Sequence, residues 1–162
     1  MRKFERISYE QFKKDVCDDK ELYESIELPK RSTKKSAGYD IRSIEEGIIK
    51  PGEAKVFKTG IKVDMNDDEV LLLMIRSSLG FKYNIGLANN VGVIDSDYYN
   101  NPDNEGHFAL KLINHGDEDF KVEVGDRIAQ GIFVKYLAVD DEEEIKSTRK
   151  GGFGSTGKKE RK

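Results

Sequence analysis

The rhythm of apolar and polar positions changes near residue 37. Upstream, Ser8 precedes Gln11 by three positions, the spacing of a helix capping box, and Phe12 and Val16 follow at i, i+4. A short amphipathic helix is predicted there. Residues 28–36 carry Lys30, Arg31, Lys34 and Lys35 among polar neighbours and read as an extended, solvated loop. From Ala37 onward the period is two and the runs are short. Strands are predicted from Ile41, at Ile48 and Ile49 before the Pro51-Gly52 turn, and over residues 56–63, where Gly60 marks a bulge. Residues 70–75 form a continuous apolar strand, expected to be buried on both faces. Further strands follow at 108–113, 120–124 and from 128 to 139. Many short strands between close turns, without strand–helix alternation, predict an all-β sandwich or barrel.

The 162 residues suit one domain. The acidic run Asp140-Asp141-Glu142-Glu143-Glu144 closes the predicted body at residues 1–145, leaving 146–162 as a mobile tail. A net charge of −3 gives no argument for a nucleic-acid or membrane partner, and no apolar run approaches the roughly 18 residues of a membrane span. The polar N-terminus reads as no signal peptide. The single Cys17 fits a reducing cytosol, so a cytoplasmic location is expected. With His107 and His115 the only histidines, a Cys/His metal site is not expected; any metal would be a hard cation on oxygens.

Candidate chemistry lies in five places. Gly92-Val93-Ile94-Asp95-Ser96-Asp97-Tyr98 sets two acids at the end of an apolar strand, where a carboxylate either caps a turn or acts as a base. Gly38-Tyr39-Asp40 puts an acid at a strand start. Arg76-Ser77-Ser78 ends the most apolar strand in phosphate-binding groups, and Gly125-Asp126-Arg127-Ile128-Ala129-Gln130 repeats that theme. The tail Gly151-Gly152-Phe153-Gly154-Ser155-Thr156-Gly157 offers backbone and hydroxyl donors to an anion, and an aromatic that wants a partner surface. Gly152 to Lys158 also matches most of a P-loop, but Lys159 stands where Ser or Thr is needed and no helix follows.

Taken in chain order, the five stretches resemble the five motifs of the trimeric dUTPase family. The resemblance runs from Ala37 to Gly157. It implies a jelly-roll β fold, a homotrimer with active sites shared between subunits, and a fifth motif donated by a neighbour's tail. It implies hydrolysis of dUTP to dUMP and pyrophosphate, which limits dUTP and supplies dUMP for thymidylate synthesis, with Mg²⁺ held mainly by the triphosphate. Carried over, Asp95 activates water for attack on the α-phosphorus. Tyr98 packs against the deoxyribose, and Asn89 pairs with uracil. Arg76, Ser77, Ser78 and Gln130 hold phosphates. Asp40 orders water or metal near the phosphates, or merely braces the site, with no side chain a direct metal ligand. Phe153 covers the uracil ring, and Gly154, Ser155 and Thr156 close over the phosphates.

Two departures stand out. The family follows the motif tyrosine with a short step into the next strand, whereas residues 99–107 intervene here. The fifth-motif arginine is expected three residues before Gly-Gly-Phe, where this chain has Thr148; either Arg149 or Lys150 supplies the charge. Two other readings stay open. One is a dCTP deaminase on the same fold, which needs an extra carboxylate such as Asp97 or Glu105. The other is a regulatory protein-binding module that presents the insertion at residues 100–104 to a protein partner.

Overall fold

The computed structural model describes residues 1–152. In chain order it contains β1 (Lys3–Arg6), α1 (Tyr9–Asp15), α2 (Lys20–Ser25), β2 (Lys30–Arg31), β3 (Tyr39–Arg42), β4 (Gly47–Ile49), β5 (Ala54–Lys58), β6 (Ile61–Asp64) and β7 (Glu69–Ile75). There follow α3 (Ser77–Tyr83), β8 (Ile85–Leu87), β9 (Gly92–Asp95), a 3₁₀ turn at Ser96–Tyr98, β10 (Ala109–Asn114), β11 (Phe120–Val122) and β12 (Arg127–Lys135). The chain is mostly antiparallel β, the expected jelly-roll class. A five-stranded sheet runs β2-β3-β12-β7-β9 and a three-stranded sheet runs β5-β10-β8; β1-β6 and β11-β4 form pairs.

Alternation explains most strands. In β10, Leu110, Leu112 and Asn114 are buried while Lys111 is exposed. Leu71, Leu73, Ile41, Ile128, Phe57 and Phe108 join Leu110 and Leu112 in one apolar cluster. Asn114 is fully buried yet satisfied: its amide donates to Ile49 O and Glu118 O, and its Oδ1 accepts from Gly116 N–H.

Four expectations need correcting. The segment 56–63 is two strands in different sheets. Thr59 ends the first by donating to Phe108 O at 2.6 Å, and Gly60 (φ 69°) turns the chain into the second. Strand β7 is not buried on both faces throughout, because Leu72, Met74 and Ile75 are only half covered. Arg76-Ser77-Ser78 leads into α3, which the apolar pattern does not predict, nor does it predict α2. At seven and six residues, these helices are too short to display a helical period. The capping box at Ser8 is half formed: Ser8 Oγ accepts from Gln11 N–H, but Ser8 N–H donates to Glu105, and Gln11 turns to Asp15.

Candidate active site

The hairpin between β8 and β9 crosses from one sheet to the other, since β8 pairs with β10 and β9 with β7. The sheets part there around a pocket of about 460 Å³, a size suited to a small organic ligand. Asn89 lies on its rim, in the turn where Asn90 takes φ 61°. Asp95, Tyr98 and Lys111 line its walls, with Leu73, Val93 and Leu110 supplying apolar surface. Three sequence-predicted residues, Asn89, Asp95 and Tyr98, therefore share one cavity.

Arg149 and Gly152 from the tail line the same pocket. Arg149 donates from Nη2 to Asp95 Oδ2 (2.5 Å) and from Nε to Asp97 Oδ1 (2.9 Å), with its guanidinium carbon 5.8 Å from the Tyr98 ring centroid. The Asp97 bond raises the pKa of Arg149, burial opposes it, and the charges of Asp97 and Asp95 add to the rise. Gly152 lies so close that a Cβ there would sit 2.7 Å from Tyr98 Oη, so no larger residue fits without displacing the ring. Of the two candidate cations, Arg149 reaches the site; Lys150 is exposed. This contact is within one chain, whereas the resemblance implies a neighbour's tail. The 14 residues from Lys135 to Arg149 can span up to roughly 45 Å when extended, enough for either route. Phe153, Gly154, Ser155 and Thr156 lie outside the described residues.

A second cluster gathers the remaining predicted residues. Asp40 accepts from Arg76 Nε (2.9 Å), Arg127 Nη1 (3.3 Å) and Ser32 Oγ (2.8 Å). Burial pushes its pKa up, but the Ser32 hydrogen bond and the two guanidinium charges outweigh burial and hold the carboxyl below its usual range. Gln130 sits opposite Asp40 across β3 and β12 and donates to Ile75 O at 3.3 Å. Ser77 and Ser78 open α3 immediately after Arg76.

The two clusters stand apart. Asp95 pairs with Val70 at one end of β7, and Arg76 follows the other end six residues on. At about 3.3 Å per residue they are roughly 20 Å from each other along the strand. The residues lining the pocket include none of Asp40, Arg76, Ser77, Ser78 and Gln130.

Sequence reasoning missed the roles of two residues inside its candidate motifs. Asp97, one of two acids at the strand end and a candidate deaminase carboxylate, holds Arg149. Arg127 shares a side of β12 with Gln130 despite their odd spacing, because the register shifts between Arg127 and Ala129. A bulge reverses the inward–outward alternation, and the sequence carries no clear sign of this one. The insertion, the candidate docking surface of the regulatory reading, turns partly inward: Asn101 is buried and Asn101 and Asn104 both bond to Tyr98, while Asn100, Pro102 and Asp103 are exposed.

The dUTPase family model matches residues 24–157. The chain belongs to the dUTPase family. A deoxyuridine 5'-triphosphate nucleotidohydrolase of Lactococcus lactis subsp. lactis is 51% identical over 133 residues, covering 82% of this chain and 89% of that protein. The crystal structure of dUTPase from Streptococcus mutans is similar at a TM-score of 0.69 with 41% identity, covering 85% of this chain and 98% of that one. The fold is also shared with the dUTPase from phage phi11 of S. aureus, which coordinates a structural Mg(II) ion. There the TM-score is 0.66 at 20% identity, with 91% of this chain and 97% of that one covered. These relatives place the chain with dUTPases rather than deaminases.

Proposed function

We propose that this dUTPase hydrolyses dUTP to dUMP and pyrophosphate, limiting dUTP and supplying dUMP for thymidylate synthesis. The observation that carries the site assignment is the meeting of Asn89, Asp95 and Tyr98 at one pocket. Asn89 presents an amide donor and acceptor to the uracil edge, and the Tyr98 ring packs against the deoxyribose. Asp95 takes a proton from water as its oxygen bonds to the α-phosphorus, and the bond to the pyrophosphate oxygen breaks in line. Asp95 is free to do so once Arg149 leaves it, and the triphosphate is the denser anion that draws the guanidinium away. Phe153, Gly154, Ser155 and Thr156 complete the closure.

Arg76, Ser77, Ser78 and Gln130 hold phosphates, and their distance from Asp95 argues that they serve a neighbouring chain's pocket. The active unit is then a homotrimer with shared sites, each chain a body of residues 1–145 with a tail at 146–162, in the cytoplasm. Mg²⁺ fits this arrangement as an ion carried on phosphate oxygens. Asp40, already engaged by Arg76, Arg127 and Ser32, would meet it through water. The bound ion would neutralise phosphate charge.

The test is pyrophosphate release with Mg²⁺ from dUTP, dCTP, dTTP and UTP in parallel. Release from dUTP alone is expected. Equal release from UTP would remove the deoxyribose assignment of Tyr98, and ammonia from dCTP would restore the deaminase reading.

A further inference from the structure

We infer that the insertion at residues 99–106 is a clamp that fixes the Tyr98 ring, with Asn104 the positioning residue that sets discrimination against a ribose 2′-hydroxyl. The inference rests on the deoxyribose role proposed for Tyr98.

The clamp closes from both sides of the tyrosine. Asn104 Nδ2 donates to Tyr98 Oη at 2.8 Å, and Tyr98 Oη donates in turn to His107 O at 3.1 Å. Asn101 Nδ2 donates to Tyr98 O at 2.8 Å and to Asn104 Oδ1 at 2.8 Å. The backbone N–H groups of Asp103 and Asn104 donate to Asn101 Oδ1, and that of Gly106 donates to Asn104 Oδ1. Each asparagine thus holds the loop with one end of its amide and the tyrosine with the other. The loop also passes close beneath the ring's own backbone. Gly106 has φ 87°, and a Cβ there would lie 2.7 Å from Tyr98 O. Only glycine allows that approach.

The clamp is anchored at its far end. Glu105 accepts from Ser8 Oγ and Ser8 N–H and pairs with Lys62 at 3.3 Å. His107 is buried between Asp15, 2.7 Å from Nδ1, and Gly60, whose N–H donates to Nε2 at 2.9 Å. An aromatic ring held at hydroxyl and backbone cannot swing aside for a larger sugar. A buried polar network that is fully satisfied confers this kind of rigidity.

The experiment measures kcat/KM for dUTP and UTP in the wild type and in Tyr98→Phe, Asn104→Ala and the double variant. Losing one hydrogen bond to the ring should raise the UTP-to-dUTP ratio by roughly two- to tenfold, mainly through a lower KM for UTP. The double variant should gain less than the product of the two single effects, because both remove the Asn104–Tyr98 Oη bond, while Tyr98→Phe alone also removes the bond to His107 O. Lys121→Ala, exposed on β11 and outside the clamp, should leave the ratio unchanged. Urea midpoints show whether Asn104→Ala still folds; Tyr98→Phe removes only the hydroxyl and tests the clamp independently. Ratios unmoved in both single variants, or gains that multiply in the double, would overturn the clamp. Tyr98→Ala separates the two readings: a large rise in the ratio upholds the sugar role, and no rise removes that role and the clamp with it.

Discussion

Arg149 and Asp95 are joined across 54 residues by a guanidinium–carboxylate contact of 2.5 Å, and Asp97 holds the same guanidinium from its other side. The tail's cation is thereby docked on the carboxylate proposed to activate water. Arg149→Ala should lower kcat/KM for dUTP by roughly 10- to 100-fold, as expected for a hydrogen-bonded charge. Lys150→Ala should stay near wild type. Equal losses in the two variants would reopen the choice between them.

Asp95→Asn keeps the size of the side chain and removes its basicity. Turnover should fall by about 10²- to 10⁴-fold with the fold intact by circular dichroism. A variant that still turned over near the wild-type rate would exclude Asp95 as the base.

Separation of Asp95 from Arg76 along β7 predicts complementation. If the active unit is the proposed homotrimer, Asp95→Asn and Arg76→Ala proteins should each be nearly inactive alone. Unfolded together and refolded as mixed trimers, they should recover activity at about one quarter of their sites, those combining an intact Asp95 with an intact Arg76 from the adjacent chain. If the mixture stayed as inactive as its components, each site would lie within one chain.

Truncation after Lys146 removes Arg149 and Gly152 from the pocket and leaves every strand of the described residues in place. The product should sediment as a folded trimer with little turnover. Full activity in the truncated chain would exclude tail closure from the reaction.

Acid should loosen the body through His107. Burial pushes its pKa below the ordinary imidazole value of 6.5, with Asp15 pulling the other way, and Nε2 is occupied by the Gly60 N–H. Below about pH 6.5 the unfolded chain takes up a proton that the folded chain refuses. Stability is therefore full above that pH and falls as the pH drops toward the folded-state value. Asp15 has a pKa lowered from 3.8: burial acts upward, but the hydrogen bonds from His107 and Gln11 with the nearby positive charge together outweigh it, which adds a second loss at lower pH. Urea unfolding at pH 7.5 and 5.5 should show the first loss in the wild type and a smaller one in His107→Gln. Identical slopes would assign it to other groups.

Much of this was legible in the chain because the signals are local. Alternation in β10 follows from which side chains face the core, and the Ser8 cap from a hydroxyl three residues before an N–H. The residues that meet at the pocket could be named from the order of their motifs. Their grouping could not. A single register shift put Arg127 with Asp40, and chain closure over more than 50 residues put Asp97 with Arg149. The insertion is polar, which is compatible with a docking surface, and Asn100, Pro102 and Asp103 are exposed. Its polarity also satisfies a buried tyrosine, and only the packing tells a solvated asparagine from one whose amide is fully engaged. Sequence by itself determined the β class, most of the longer strands, the family and the chemical groups. Tertiary structure decided which groups face one another, since register and long-range contacts depend on the whole packed core.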